Sequence, residues 1–255
     1  MGLREVAIAP CAAGYGQYLL PRLRGLVSRM IRPDSREAEI NRELRGYPRN
    51  HDYQVVESMP VPGRKLHSRW KRIAGLYPER LTSLLDVGCC KGYFVLEAAR
   101  RESCERAVGI DVYEPFVALS REVARQVKEP KAGYYTASLD GFVADPVLKG
   151  MGPFQTVLLL NVYHYLYAGS ELSPLAYRAH RPILALLHEL CSDRVIFSSP
   201  LELADCPEQV RENCRGLGIG ESYTRKDFME AAEEFFRVEE QGVWGRRPLL
   251  VLYRR

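Results

Sequence analysis

The stretch Leu84-Leu85-Asp86-Val87-Gly88-Cys89-Cys90-Lys91-Gly92-Tyr93-Phe94 holds the densest chemical information in this 255-residue sequence. An apolar run ends at an acidic residue and a glycine, and a helix starts four residues later. Backbone N–H groups at that helix N-terminus face whatever lies above the strand end. Gly88 and Gly92 let a ligand come against the backbone. Asp111 follows 19 residues after Gly92, closing Val108-Gly109-Ile110-Asp111. A carboxylate at the tip of a second strand accepts hydrogen bonds from both hydroxyls of a ribose. Loop and carboxylate together predict an adenosine ligand.

Such a loop needs a parallel sheet behind it. From Leu81 onward short apolar strands alternate with amphipathic helical stretches. Strands are expected at Leu81–Val87, Arg106–Asp111, Tyr134–Ser138, Phe154–Asn161 and Arg194–Ser199. Helices are expected at Gly92–Arg101, from Glu114 with Pro115 in the first turn, and from Pro182. Thr224 caps a further helix that runs to Phe236, with Asp227 at its third position. Two last strands, Arg237–Gln241 and Leu249–Arg254, are joined by the tight Gly242-Val243-Trp244-Gly245 segment as an antiparallel hairpin. The expected class is α/β with a doubly wound sheet in residues 81–255, preceded by a helical cap in residues 1–80. That cap is read as helices at Leu19–Ile31, Glu37–Leu44 and about His67–Leu76, with Pro60, Pro62 and Gly63 in a loop and no sheet of its own.

The glycine spacing selects among adenosine ligands. A dinucleotide loop, Gly-x-Gly-x-x-Gly, would need glycine at 88, 90 and 93, and Cys90 and Tyr93 occupy two of these positions. The pattern Gly88-x-Cys90-x-Gly92 instead resembles the Gly-x-Gly-x-Gly loop of the class I, Rossmann-like S-adenosyl-L-methionine-dependent methyltransferases. The resemblance covers roughly residues 65 to 255. It is carried by the Asp-Val-Gly loop, the acidic end of the second strand, the Asn161-Val162-Tyr163-His164 phrase and the terminal hairpin. The family's central glycine is Cys90 here, which narrows the room beside the ligand. The resemblance implies a seven-stranded, mostly parallel sheet with an antiparallel C-terminal hairpin strand, and S-adenosylmethionine as cofactor with S-adenosylhomocysteine as product. It implies that Asp86 and Gly88 lie against the methionine moiety, that Gly92 lets the helix start pack on the strand, and that Asp111 holds the ribose. It implies further that Val112 packs on the adenine, that Ser138 and Leu139 contact the adenine amino group, with Asp140 the displaced acidic position, and that Asn161 lies near the transferable methyl group.

Methyl transfer from a sulfonium is an in-line displacement, so the protein chiefly aligns the reacting atoms and excludes water. A hydroxyl or ammonium acceptor also needs a base. His164 is the first candidate for base or substrate contact, with Tyr163 beside it in Asn161-Val162-Tyr163-His164-Tyr165-Leu166-Tyr167. The competing reading packs His164 beneath the next loop, with the tyrosines as wall residues. His180, in the polar insertion Leu172–Arg181, either lines the substrate pocket or lies on the surface. The 5 histidines lack ligand spacing, which argues against a metal-assisted transfer. By family analogy, the lack of an Asn-Pro-Pro-aromatic string argues against methylation of nucleic-acid base amines.

Composition bounds the partners. With 46% hydrophobic and 27% charged residues the chain is globular, and no apolar run approaches the ~18 residues of a membrane-spanning helix. Arg4 and Glu5 before a stretch broken by Pro10, Gly14 and Gly16 make a poor secretory signal, and Val6 disfavours acylation of Gly2, so a cytoplasmic location is expected. Seven cysteines without a Cys-x-x-Cys pair read as buried free thiols. Residues 1–80 hold 15 of the 36 Lys+Arg and 8 of the 32 Asp+Glu, so the basic charge is concentrated there. The leading expectation is a methyltransferase acting on an oxygen or nitrogen of a small-molecule metabolite. The alternative is an RNA (tRNA or rRNA) methyltransferase whose cap docks phosphates through Arg64, Lys65, Arg69, Lys71 and Arg72, with Trp70 as the expected stacking residue. A module that binds the cofactor, or nothing, and serves a partner is the third. The cap is also a candidate surface for a homodimer.

Overall fold

The computed structural model describes residues 35–46 and 48–255; the expected helix at Leu19–Ile31 and Cys11 lie outside them. Helix α1 (Ser35–Leu44) leads through a short 3-10 turn at Arg49–His51 into strands β1 (Tyr53–Val56) and β2 (Met59–Pro62), followed by helix α2 (Arg64–Ala74). The N-terminal segment thus carries a two-stranded antiparallel sheet where a loop at Pro60 and Pro62, and no sheet, were expected. Pro60 and Pro62 pair with Val55 and Tyr53, alternate positions of the antiparallel ladder whose amides point away from the partner strand. Glu57 and Ser58, at φ 50° and 60°, form the two-residue turn with both central residues left-handed that fits strand twist. The side-chain amide of Asn41 bonds both the N–H and the carbonyl of Val55 at 2.7 Å, fixing α1 to this hairpin.

The remaining elements are β3 (Ser83–Val87), α3 (Tyr93–Ala99), β4 (Arg106–Asp111), α4 (Glu114–Gln126), β5 (Ala132–Thr136), α5 (Leu139–Ala144), α6 (Pro146–Lys149), β6 (Phe154–Leu160), α7 (Tyr163–Ala168), α8 (His180–Leu190), β7 (Cys191–Ser198), α9 (Glu208–Leu217), α10 (Arg225–Glu233), β8 (Phe236–Trp244) and β9 (Arg247–Arg254). Seven strands form one sheet in the order β5-β4-β3-β6-β7-β9-β8. The first five are parallel, and β9 runs antiparallel to both β7 and β8. The hairpin reverses at Gly245-Arg246 rather than across residues 242–245, because Trp244 already pairs with Arg247 and the irregularity at Gln241-Gly242 is a bulge inside β8. Strand β5 lies two residues earlier than the apolar pattern suggested.

Period-2 burial along the strands explains the two layers. Leu85, Val87, Val157, Leu159, Val195 and Phe197 point into one core with α5, α7, α8 and α10. Leu84, Ala107, Leu158, Leu160 and Ile196 point into the other, where Phe94, Val95, Val117 and Val123 meet Ile40, Leu44, Tyr53, Val55 and Ile73 of the N-terminal elements. The Thr224 hydroxyl accepts from the Asp227 N–H and donates to its carboxylate, a cap worth about 1 kcal/mol to α10. Among the described residues no helix is long and apolar enough to cross a membrane.

Candidate active site

The chain winds from β3 outward to β5 and returns to β6 on the other side of β3, so a crevice opens above the carboxyl ends of β3 and β6. At its floor, the N–H groups of Gly88 and Cys89 both donate to the Ile110 carbonyl, at 2.8 and 3.0 Å, tying the loop to β4. Gly88 sits at φ 74°, and a Cβ there would lie 2.3 Å from Val162 Cγ2. Gly92, at φ 73°, has Tyr134 Cε1 and Ser120 Oγ where a Cβ would fall, at 2.5 and 2.7 Å. It therefore serves close packing of α3 on β5 and α4. Cys90 adopts φ 51° without being glycine, at a cost of about 1–2 kcal/mol. Its N–H donates to Asp111 Oδ2 at 2.9 Å, and the Tyr113 N–H donates to Oδ1 at 2.9 Å.

Both acids of the loop are shifted. Burial raises the Asp111 carboxyl above the usual range, against the backbone N–H groups of Tyr113, Cys90 and Val112 that stabilise its charge. Asp86 is 3% exposed, and burial pushes its pKa up to about 7; the Arg69 guanidinium opposes the shift and Asp111 adds to it. Lys91, 1% exposed, reaches away from the crevice: Nζ donates to the carbonyls of Leu44 and Gly46 at 2.8 Å and pairs with Asp52 at 3.2 Å. Those carbonyls end α1, where a cation meets the negative end of the helix dipole.

Three linked chambers line the crevice. The first, about 350 Å³, has Gly88, Asp111, Val112, Ser138 and Leu139 in its wall, together with Ile110, Ala137, Val162, Tyr165 and Leu166. Asp86, Cys90 and Gly92, expected beside the ligand, do not line it; they hold the loop from behind. Ser138 is also the N-cap of α5, accepting from the Gly141 N–H at 3.3 Å. A mostly apolar slot with a carboxylate at its lip suits a base and ribose. Tyr165 is shared with a second chamber of about 830 Å³, lined by Arg45, Arg49, His51 and Asn161. Asn161 is shared in turn with a third, of about 480 Å³, lined by Arg64, Lys65, Arg69, Trp244 and Arg247. Asn161 stands at φ 65°, and its Oδ1 accepts from Arg247 at 2.8 Å. Arg69 donates to His51 Nε2 at 2.8 Å, and burial, then Arg69 and Lys91, push the His51 pKa down to about 3.

The three candidate catalytic residues lie elsewhere. Tyr163 Oη and His180 Nδ1 are 2.6 Å apart, and His180 Nε2 is 3.1 Å from the Ser222 carbonyl, so both ring nitrogens are engaged within the fold. Tyr163 also meets Phe197 and Phe228 edge-on, at 5.3 and 5.2 Å. His164 is fully buried, both ring nitrogens lack a hydrogen-bond partner, and burial with Arg247 pushes its pKa down to about 4. None of the three lines the chambers. Arg247 and Trp244 went unmarked in the sequence, because only the hairpin's return to β7 brings them to Asn161. Among the described residues, no three His, Cys, Asp or Glu side chains gather in a set able to hold a metal ion.

No family model and no curated protein matches the chain. Among solved structures, the bifunctional kinase-methyltransferase WbdD aligns with a TM-score of 0.54 and 17% identity over 75% of this chain and 40% of its own. EvdMO1 aligns with a TM-score of 0.53 and 16% identity over 87% of this chain and 48% of its own. The chain thus spans less than half the length of either. The N-methyltransferase NodS from Bradyrhizobium japonicum gives a TM-score of 0.48 and 16% identity over 75% of this chain and 95% of its own. Taken with the strand order and the antiparallel terminal pair, the alignment to the kinase-methyltransferase WbdD identifies the fold as that of the class I, Rossmann-like methyltransferases.

Proposed function

We propose that the chain is an S-adenosylmethionine-dependent methyltransferase that moves a methyl group onto an oxygen or nitrogen of a small-molecule metabolite. The observation that carries this reading is the apolar chamber at the sheet's switch point with Asp111 at its lip, opening past Tyr165 into a polar cleft. The residues fit the cofactor. The Asp111 carboxylate accepts the backbone N–H groups of Cys90, Tyr113 and Val112, and of its about four acceptor positions one is left for a ribose hydroxyl. Val112 and Leu139 supply apolar wall for the base, beside Ser138. When bound, the cofactor supplies an electrophilic methyl carbon on a sulfonium.

The chain's own task is then alignment. Arg247 is a donor only, so it holds Asn161 by the amide oxygen and leaves the amide nitrogen to donate to an acceptor. With the His51 pKa held near 3, the cleft wall offers no imidazole that takes a proton near pH 7. Rate then comes chiefly from positioning the acceptor against the methyl carbon.

Isothermal titration with S-adenosylhomocysteine tests the reading. The wild type is expected to bind, and Asp111→Ala and Asp111→Asn to weaken binding by about tenfold or more, the worth of one or two charge-assisted hydrogen bonds. A wild type that gives no binding heat ends the proposal.

A further inference from the structure

The third chamber has a cationic wall. Four cationic side chains, Arg64, Lys65, Arg69 and Arg247, line it from α2 and from the start of β9, and no carboxylate is in its wall. Among the described residues, Arg64, Lys65 and Arg247 form no ion pair, and Arg69 bonds a neutral imidazole. Arg64 and Lys65 occupy the first turn of an 11-residue helix that has no acidic residue there, where the helix dipole disfavours cations. Burial lowers the Arg69 pKa; Asp86 opposes the shift, and Arg247 adds to it.

Resting on the methyltransferase reading for the ligand's role as acceptor, we propose that this chamber seats a phosphate group, so that the substrate is a phosphorylated small molecule. Planar guanidinium groups and an ammonium around one recess match the oxygens of a phosphate, and a dianion turns their mutual repulsion into attraction. A single carboxylate would offset only one of the four charges. Asn161, bonded to Arg247, joins the chamber to the rest of the cleft, so a molecule anchored here by its phosphate extends toward the proposed methyl donor. The geometry favours a small molecule over RNA. The cavity is about 480 Å³, and two cations expected to track an RNA backbone, Lys71 and Arg72, are not in its wall. Arg72 instead lies over the Trp244 ring at 5.8 Å, and Trp70 stacks on His67 at 5.9 Å.

Isothermal titration of the full chain with inorganic pyrophosphate, with and without S-adenosylhomocysteine, tests this. Pyrophosphate is expected to bind. Lys65→Gln and Arg247→Gln should each weaken it about tenfold, and Lys65→Gln should leave S-adenosylhomocysteine affinity within twofold. Lys65 is exposed, so its replacement keeps the test valid should Arg247→Gln fold poorly. Absence of pyrophosphate binding, or binding indifferent to both substitutions, overturns the site. Malonate binding at least as tightly as pyrophosphate overturns it in favour of a carboxylate. A single-stranded RNA that binds and is weakened by Lys71→Gln and Arg72→Gln, but not by Lys65→Gln, overturns it in favour of RNA. Pyrophosphate binding without S-adenosylhomocysteine binding leaves the phosphate site standing and removes the methyltransferase reading; the converse removes the phosphate site alone.

Discussion

Asp86 closes β3 directly beneath the glycine loop, and its surroundings make it a neutral acid until about pH 7. The sign of the consequence follows from proton counting. The folded state keeps a proton that the unfolded chain releases in the ordinary carboxylate range, so this group lowers stability as pH rises from about 4 to about 7. The slope reaches at most about 1.4 kcal/mol per pH unit. Asp86→Asn removes the titration and keeps the shape. Its melting temperature relative to wild type is expected to climb between about pH 4 and about pH 7 and to level off above; a constant difference in thermal unfolding across that range refutes the assignment. Asp86 was visible in the sequence as the acid closing the strand, but its pKa was not, because burial and the nearness of Arg69 depend on α2 lying over the loop.

At the scale of elements, Lys91 is the joint between the loop and the N-terminal segment. It satisfies two carbonyls at the end of α1, while its own carbonyl accepts the Tyr53 hydroxyl at 2.7 Å. Lys91→Met should cost about 2–4 kcal/mol, because buried carbonyls lose a charged donor. Limited proteolysis is expected to cut within residues 35–62 faster than in wild type, and the melting temperature to fall; unchanged protection and melting would show that the Lys91 ammonium does not hold α1 and the hairpin to the loop. The hairpin itself was hidden because Pro60 and Pro62 read as loop markers. Proline is compatible with a strand when its missing N–H falls on the side away from the partner, and that parity is invisible until the register is known. The parallel strands were legible because they are buried on both faces and appear as unbroken apolar runs bounded by turn residues.

For the molecule as a whole, the buried His164 and His180 and the half-buried His51 set the acid limit. Burial pushes His51 down to about 3 and His164 and His180 to about 4, whereas an unfolded histidine takes its proton near 6.5. Between those values the unfolded state binds more protons, so stability is lost as pH falls from about 6.5 toward 4. Each histidine contributes at most about 1.4 kcal/mol per unit, and three of them outweigh the opposite slope from Asp86. The melting temperature of wild type should drop over this range, and His164→Gln should make the drop shallower. Equal slopes would mean that His164 reaches solvent when it protonates.

Residue order alone carried the sheet of alternating strands, the glycine turn and the carboxylate at the tip of the second sheet strand, and the family resemblance added Val112 and Leu139 of the first chamber. All of these are local: period, turn chemistry and strand ends are properties of neighbouring residues. Which polar groups meet was decided only by tertiary structure. Tyr163 and His180 spend their hydrogen bonds on each other and on Ser222, and Arg247 crosses 86 positions to hold Asn161. Such pairings depend on how helices and the terminal hairpin fold over the sheet, where a few ångströms decide whether a polar side chain faces the cleft or the core.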